Sequence, residues 1–170
     1  MTTFHEALEE STWEILEQIP DPEIPVLSIV DLGIVRSVEV DGSKVTVGVA
    51  PTYSGCPATE VIEDSVVKSL QSGGIDHVSI RRVLSPPWTS DWISDRGRER
   101  LRKYGITPPE KGAARRDSLL GDPMATERIV ACPRCGTENT KKVSEFGSTA
   151  CKSSYKCKDC LEPFEYFKCI

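Results

Sequence analysis

The sequence predicts an α+β fold: a small sheet of about three strands with helices on one face, followed by a separate cysteine-rich block. Three observations carry this. Apolar residues recur at helical spacing in some stretches and alternate in others. Breakers of regular structure cluster between residues 108 and 127. Six of the seven cysteines lie in residues 126–170.

Phe4, Leu8, Thr12, Ile15 and Ile19 recur at helical spacing, so residues 4–18 read as an amphipathic helix that stops before Pro20. Asp21-Pro22-Glu23-Ile24-Pro25 cannot continue it, because its two prolines hold the chain extended. Ile34, Val38 and Val40 alternate with polar neighbours, as do Val45, Val47 and Val49. Asp41-Gly42 between them favours a tight hairpin. Ala58, Ile62, Val66 and Leu70 make a second helical stripe, entered at Pro57 and left at Gly73-Gly74. Val78, Ile80 and Val83 suggest a third strand. Ser90, Ile93, Leu101 and Tyr104 suggest one further helix, closed by Gly105.

The charge is uneven. Residues 1–85 carry 5 basic and 14 acidic side chains, a net of −9; residues 126–170 carry 8 and 6, a net of +2. This break and the Pro108-Pro109, Gly112, Gly121 and Asp122-Pro123 breakers divide the chain into a domain at 1–107, a linker at 108–127 and a small domain at 128–170. No apolar run is long enough for a bilayer, and the first residues lack the basic start and apolar core of a secretory leader. A cytoplasmic setting is expected, where thiols stay reduced. An acidic chain, net −5 overall, lacks the basic face that nucleic acid requires.

Reduced cysteines point to metal binding or reactive chemistry. Cys132-Pro133-Arg134-Cys135 and Cys157-Lys158-Asp159-Cys160 form two C-x2-C knuckles separated by 21 residues. Two residues between ligands let both sulfurs reach one ion, and four thiolates satisfy a tetrahedral Zn²⁺ without an open position. A structural zinc ribbon is therefore expected, since about 45 residues bury too little surface to hold a fold unaided. Iron in the same four-sulfur site is the alternative. Cys151 is expected to pack and Cys169 to be a free thiol. The aromatics Phe146, Tyr155, Phe164, Tyr166 and Phe167 are expected to cover the small core.

Cys56, in Pro51-Thr52-Tyr53-Ser54-Gly55-Cys56-Pro57, falls at the mouth of the second predicted helix. Unpaired N–H groups and the helix dipole there favour a thiolate. A small buried residue at a strand–helix corner is the other reading. Asp21 and Glu23, alternate residues of an extended segment, point the same way; they serve as ligands or acids, or are merely solvated. Asp31 reads as a turn cap. Trp88 and Trp92 are either buried or an exposed partner patch. Arg96, Arg98, Arg100, Arg102 and Lys103 make the last helix basic, so docking onto the acidic first domain, within a chain or in a homodimer, is expected.

Three strings carry a family resemblance: Asp21-Pro22-Glu23-Ile24-Pro25, then Ser28-Ile29-Val30-Asp31-Leu32-Gly33-Ile34-Val35, then Thr52-Tyr53-Ser54-Gly55-Cys56-Pro57. In this order they resemble the SufT-like family of iron–sulfur protein maturation, over roughly residues 5–90. Ser85-Pro86-Pro87-Trp88-Thr89-Ser90-Asp91-Trp92-Ile93-Ser94 and Phe146-Gly147-Ser148-Thr149-Ala150-Cys151-Lys152 resemble one branch, the accessory proteins of the bacterial phenylacetyl-CoA epoxidase in phenylacetate degradation. The resemblance implies a non-catalytic maturation factor that places an iron–sulfur cluster or iron, carried transiently. Its partners would be the oxygenase and reductase components and the iron–sulfur assembly machinery. It places Asp21, Glu23, Thr52 and Cys56 at the site, with Pro51 where many relatives have a second hydroxyl. A structural subunit without chemistry of its own is the alternative.

Overall fold

In the computed structural model, residues 4–53, 55, 57–112 and 129–168 are described. The chain divides into two compact units, residues 1–88 and 89–170. No described helix is long and apolar enough to cross a membrane.

The first unit follows the predicted order. Helix α1 spans Phe4–Glu17. Strands β1 (Val35–Asp41) and β2 (Lys44–Val49) form an antiparallel hairpin in which Val38 faces Val47 and Val40 faces Val45. Its turn contains Gly42 at φ +60°, a left-handed position that glycine adopts without steric cost. Helix α2 (Ala58–Ser72) then crosses to β3 (His77–Arg82), which runs parallel to β2. Parallel neighbours need such a crossover, because a tight turn cannot join them. The order is β1-β2-β3, with α1 packed on β1 and α2 and with α2 packed on β3.

Alternation explains the core. Val45, Val47 and Val49 of β2 are fully buried, as are Leu16 of α1 and Val66 and Leu70 of α2. Each such side chain contributes about 1.5–3 kcal/mol on burial. Trp88, the last residue of this unit, is buried and its Nε1 donates to the Leu32 carbonyl at 3.0 Å. Trp92 is half-buried, so the two tryptophans form no exposed pair.

The second unit opens with a 3-10 turn at Ser90–Trp92 and then α3 (Asp95–Tyr104). The single helix expected across Ser90–Tyr104 is interrupted at Ile93 and Ser94, both extended. The Ser94 hydroxyl instead accepts from the Gly97 N–H at 2.9 Å, a serine N-cap that restarts the helix. Gly105 closes it at φ +96°. Strand β4 (Ile106–Thr107) pairs in parallel with β7 (Pro163–Phe167). β7 pairs with β6 (Lys152–Cys157), which pairs with β5 (Thr140–Ser144). The sheet order is β4-β7-β6-β5, so residues just before the predicted linker hydrogen-bond to the cysteine-rich ribbon.

Arg98 is where a local reading misleads. Among its basic neighbours on α3 it is buried, and its guanidinium donates to the carbonyls of Ser90 (2.8 Å), Ile93 (3.3 Å) and Pro109. It ties the segment before α3 to the segment after β4.

Candidate functional site

The cysteine knuckles converge. The Sγ atoms of Cys132, Cys135, Cys157 and Cys160 all lie within 4.8 Å of one another. Cys132 and Cys160 are 3.7 Å apart, and Cys135 and Cys157 3.6 Å. A tetrahedral ion with Zn–S bonds of about 2.3 Å sets its sulfurs about 3.8 Å apart. The four side chains therefore fit a tetrahedral metal. Cys132 and Cys157 are buried, Cys135 and Cys160 exposed.

Backbone geometry aims the sulfurs. In the first knuckle the Gly136 N–H donates to the Cys132 carbonyl and the Cys132 N–H to the Thr137 carbonyl, both at 2.9 Å. In the second, the Cys157 N–H donates to the Glu162 carbonyl at 2.9 Å and the Cys160 N–H to Cys157 Sγ at 3.4 Å. Each knuckle turns left-handed just after its second cysteine, at Gly136 (φ +75°) and at Leu161 (φ +64°). Burial pushes the Cys157 thiol up, but the Cys160 and Asp159 N–H groups and the neighbouring thiols outweigh it and bring it down to about 7. The Glu162 N–H pulls Cys160 down, yet the surrounding thiols and burial hold it up at about 12. Thiols packed this closely form one cluster whose protons a cation would displace.

A carboxylate latches the knuckles together. Asp159, between two of the ligands, accepts from Thr137 Oγ1 and from Asn139 Nδ2, each at 2.6 Å. These bonds hold its carboxyl below the usual carboxylate range. The Lys158 N–H also donates to the Asn139 carbonyl at 2.9 Å. Outer contacts of this kind orient ligands. Asp159→Ala is expected to weaken metal affinity about 10–100-fold, measured by competition with a chromophoric chelator. Wild-type affinity in that variant would remove the latch. The sequence reading missed Asp159; its signal was a carboxylate inside one knuckle and small polar residues just after the other.

The core behind the cage is small: Val130, Cys132, Tyr155, Cys157, Phe164 and Tyr166. Tyr155 stacks on Phe164 at 5.8 Å and meets Tyr166 edge-on at 5.9 Å. Phe167 is buried as well, but Phe146 is exposed, contrary to expectation, with the Lys168 ammonium 4.5 Å from its ring centre. Cys151 is buried, 3.0 Å from Thr149 Oγ1. Buried Lys152 pairs with Glu165 at 3.4 Å. Cys169 lies outside the described residues.

The first unit positions the other candidates. Asp21 is buried, and its Oδ1 accepts from the N–H groups of Glu23 (2.9 Å) and Ile24 (2.7 Å). Its own N–H donates to the Leu27 carbonyl at 2.8 Å. One oxygen of Asp21 thus shapes its own turn, while Glu23 is half-exposed. At Asp31 the capping runs the other way. Its N–H donates to Ser28 Oγ at 3.0 Å, and the residue is fully buried. Thr52 is half-buried, two residues after Ala50, whose N–H donates to the Ile34 carbonyl at 2.8 Å. Gly55 stands at φ +83° and Pro57 is the N-cap of α2. Cys56 between them lies outside the described residues. Among the described residues, the four ribbon cysteines are the one group of three or more metal-ligating side chains drawn together.

Comparison with known proteins separates the same two parts. Residues 9–80 match the family model for an iron–sulfur cluster assembly protein, and residues 120–168 that for the PaaD zinc beta ribbon domain. A protein of Escherichia coli (strain K12), named as a putative subunit of 1,2-phenylacetyl-CoA epoxidase, is 49% identical over 158 residues, 93% of this chain and 91% of that protein. An Fe-S protein maturation auxiliary factor of Porphyromonas gingivalis (strain ATCC BAA-308 / W83) is 38% identical over 89 residues, 51% of this chain and 84% of that protein. The Fe-S protein maturation auxiliary factor SufT of Staphylococcus aureus (strain USA300) is 41% identical over 76 residues, 44% of this chain and 85% of that protein. A crystal structure of a DUF59 domain from Bacillus anthracis superposes with a TM-score of 0.54 at 29% identity, covering 57% of this chain and 93% of that one.

Proposed function

We propose, because this chain belongs to the PaaD family, in which an iron–sulfur cluster assembly domain is joined to a zinc β-ribbon, that it is a non-catalytic accessory factor of the phenylacetyl-CoA epoxidase system in phenylacetate catabolism. Its first unit assists assembly or delivery of an iron–sulfur cluster to an oxygenase or reductase component, drawing on the iron–sulfur assembly machinery, in the cytoplasm. One observation carries this reading: that part of the chain accounts for 84% and 85% of two curated maturation factors. The cluster or iron is cargo.

In this reading Cys56 receives the cargo. It precedes in sequence the N-cap of α2, and helix N-termini favour thiolates. Asp21, Glu23 and Thr52 complete the site: the buried Asp21 fixes its turn, and Glu23 and Thr52 are partly open to a visitor. The ribbon cysteines hold a structural Zn²⁺, because four thiolates fill a tetrahedral ion and leave no position for chemistry.

Cys56→Ser is expected to reduce activation of the partner oxygenase to background while the fold persists, followed by epoxidase activity and by the cluster content of the reductase. Full activity with normal cluster content would overturn the transfer role of Cys56. The E. coli relative's name, that of an epoxidase component, favours a second reading, a structural part of the oxygenase. That reading requires stoichiometric copurification with the oxygenase, indifferent to Cys56.

A further inference from the structure

The outer surface of the ribbon gathers three lysines on one face. Lys141 of β5 faces Lys156 of β6 directly across the ladder. Directly opposed like charges destabilise a sheet. Both lysines, with Lys158, line a depression of about 430 Å³ beside exposed Val143 and Leu161. Among the described residues none of these three lysines has an ion-pair partner, whereas the adjoining Lys142 is paired with Glu145 at 2.7 Å. Lysine on an edge strand guards against strand addition. That accounts for Lys141 on β5 but not for Lys156 on β6, which has neighbours on both sides.

The complementary surface is on the same chain. Glu10 and Glu14 of α1 stand one turn apart with Glu9 beside them, all exposed and without an ion-pair partner among the described residues. Like charges at i, i+4 weaken a helix. Each surface is a like-charge cluster that the other would neutralise.

We propose that two copies of the chain associate through these surfaces, the acidic row of α1 in one copy lying against Lys141, Lys156 and Lys158 of the other. A two-fold pair makes the contact twice and closes the assembly as a dimer. Val143 and Leu161 supply apolar area beside the charges. This association is independent of the role given to Cys56.

Sedimentation of the purified full chain tests it. A dimer is expected at about 20 mM salt and a monomer at about 500 mM, since screening shortens the reach of the charges from roughly 20 Å to roughly 4 Å. The double variant Lys141→Glu/Lys156→Glu, and separately Glu10→Lys/Glu14→Lys, should each be monomeric at low salt. Mixed, they should form a one-to-one dimer, because each pair of facing surfaces is again opposite in net charge. Metal content equal to wild type confirms that the ribbon variant is folded. A wild-type monomer at low salt, unchanged dimerisation of either variant, or no recovery on mixing would overturn the proposal.

Discussion

Replacing Cys157 by serine is expected to release the ribbon's metal and unfold residues 129–168, leaving β1, β2 and β3 intact. Structural Zn²⁺ contributes about 10–16 kcal/mol in small zinc-binding peptides, against about 5–15 kcal/mol for the net stability of an ordinary domain. The ribbon has little to set against that loss. Its buried cluster is six residues, two of them metal ligands. Cys157 is itself fully buried, so the substitution removes packing as well as a ligand. Stripping the wild-type chain with a chelator separates the two effects, and it should produce the same loss of hydrogen-exchange protection in β5, β6 and β7. Protection in the first unit should be unchanged in both cases, as the DUF59 structure that matches 57% of this chain suggests. A ribbon that kept full protection after metal removal would show that its aromatic core suffices.

Arg98→Ala should destabilise the second unit by about 3–5 kcal/mol, with loss of exchange protection concentrated in residues 89–112. The substitution removes a charged donor from three carbonyls; Ser90 keeps the Ile93 N–H at 3.3 Å, while Ile93 and Pro109 lose the guanidinium. A buried acceptor left unpaired costs about 1–3 kcal/mol. In a unit of this size a loss of that order lowers Tm by more than about 10 °C. Arg98→Lys should recover little, because an ammonium lacks the planar fork that reaches three acceptors at once. If the lysine variant were as stable as wild type, charge alone would explain the burial of Arg98.

The features legible in the sequence are those set by local spacing. The C-x2-C knuckles, the Asp41-Gly42 hairpin and the exit of α2 at Gly73-Gly74 each follow from a few adjacent residues. What could not be read depends on distant partners. Arg98 looks like one more charge on a basic helix until Pro109 folds back on it. The pairing of Ile106 with Glu165 joins segments nearly sixty residues apart, and no periodicity announces that β4 belongs to the ribbon's sheet. The break at Ser94 was hidden differently, because Ser90, Ile93, Leu101 and Tyr104 fit one helical stripe and masked a serine cap. At the candidate transfer loop, alternation suggested two equivalent carboxylates; hydrogen bonding distinguishes them, tying Asp21 into its turn and leaving Glu23 partly exposed.

The two knuckles are unequal at one point. Where the first passes through Gly136, the second passes through Leu161 in the same left-handed conformation. Glycine holds that shape at no steric cost, whereas leucine is held there at a cost of about 1–2 kcal/mol. The Cys157 N–H to Glu162 carbonyl bond, which spans Leu161, and the Asp159 contacts hold the second loop against that preference. The Leu161 side is wound like a spring and the Gly136 side is not, so loss of the metal should begin from the carboxyl-terminal knuckle.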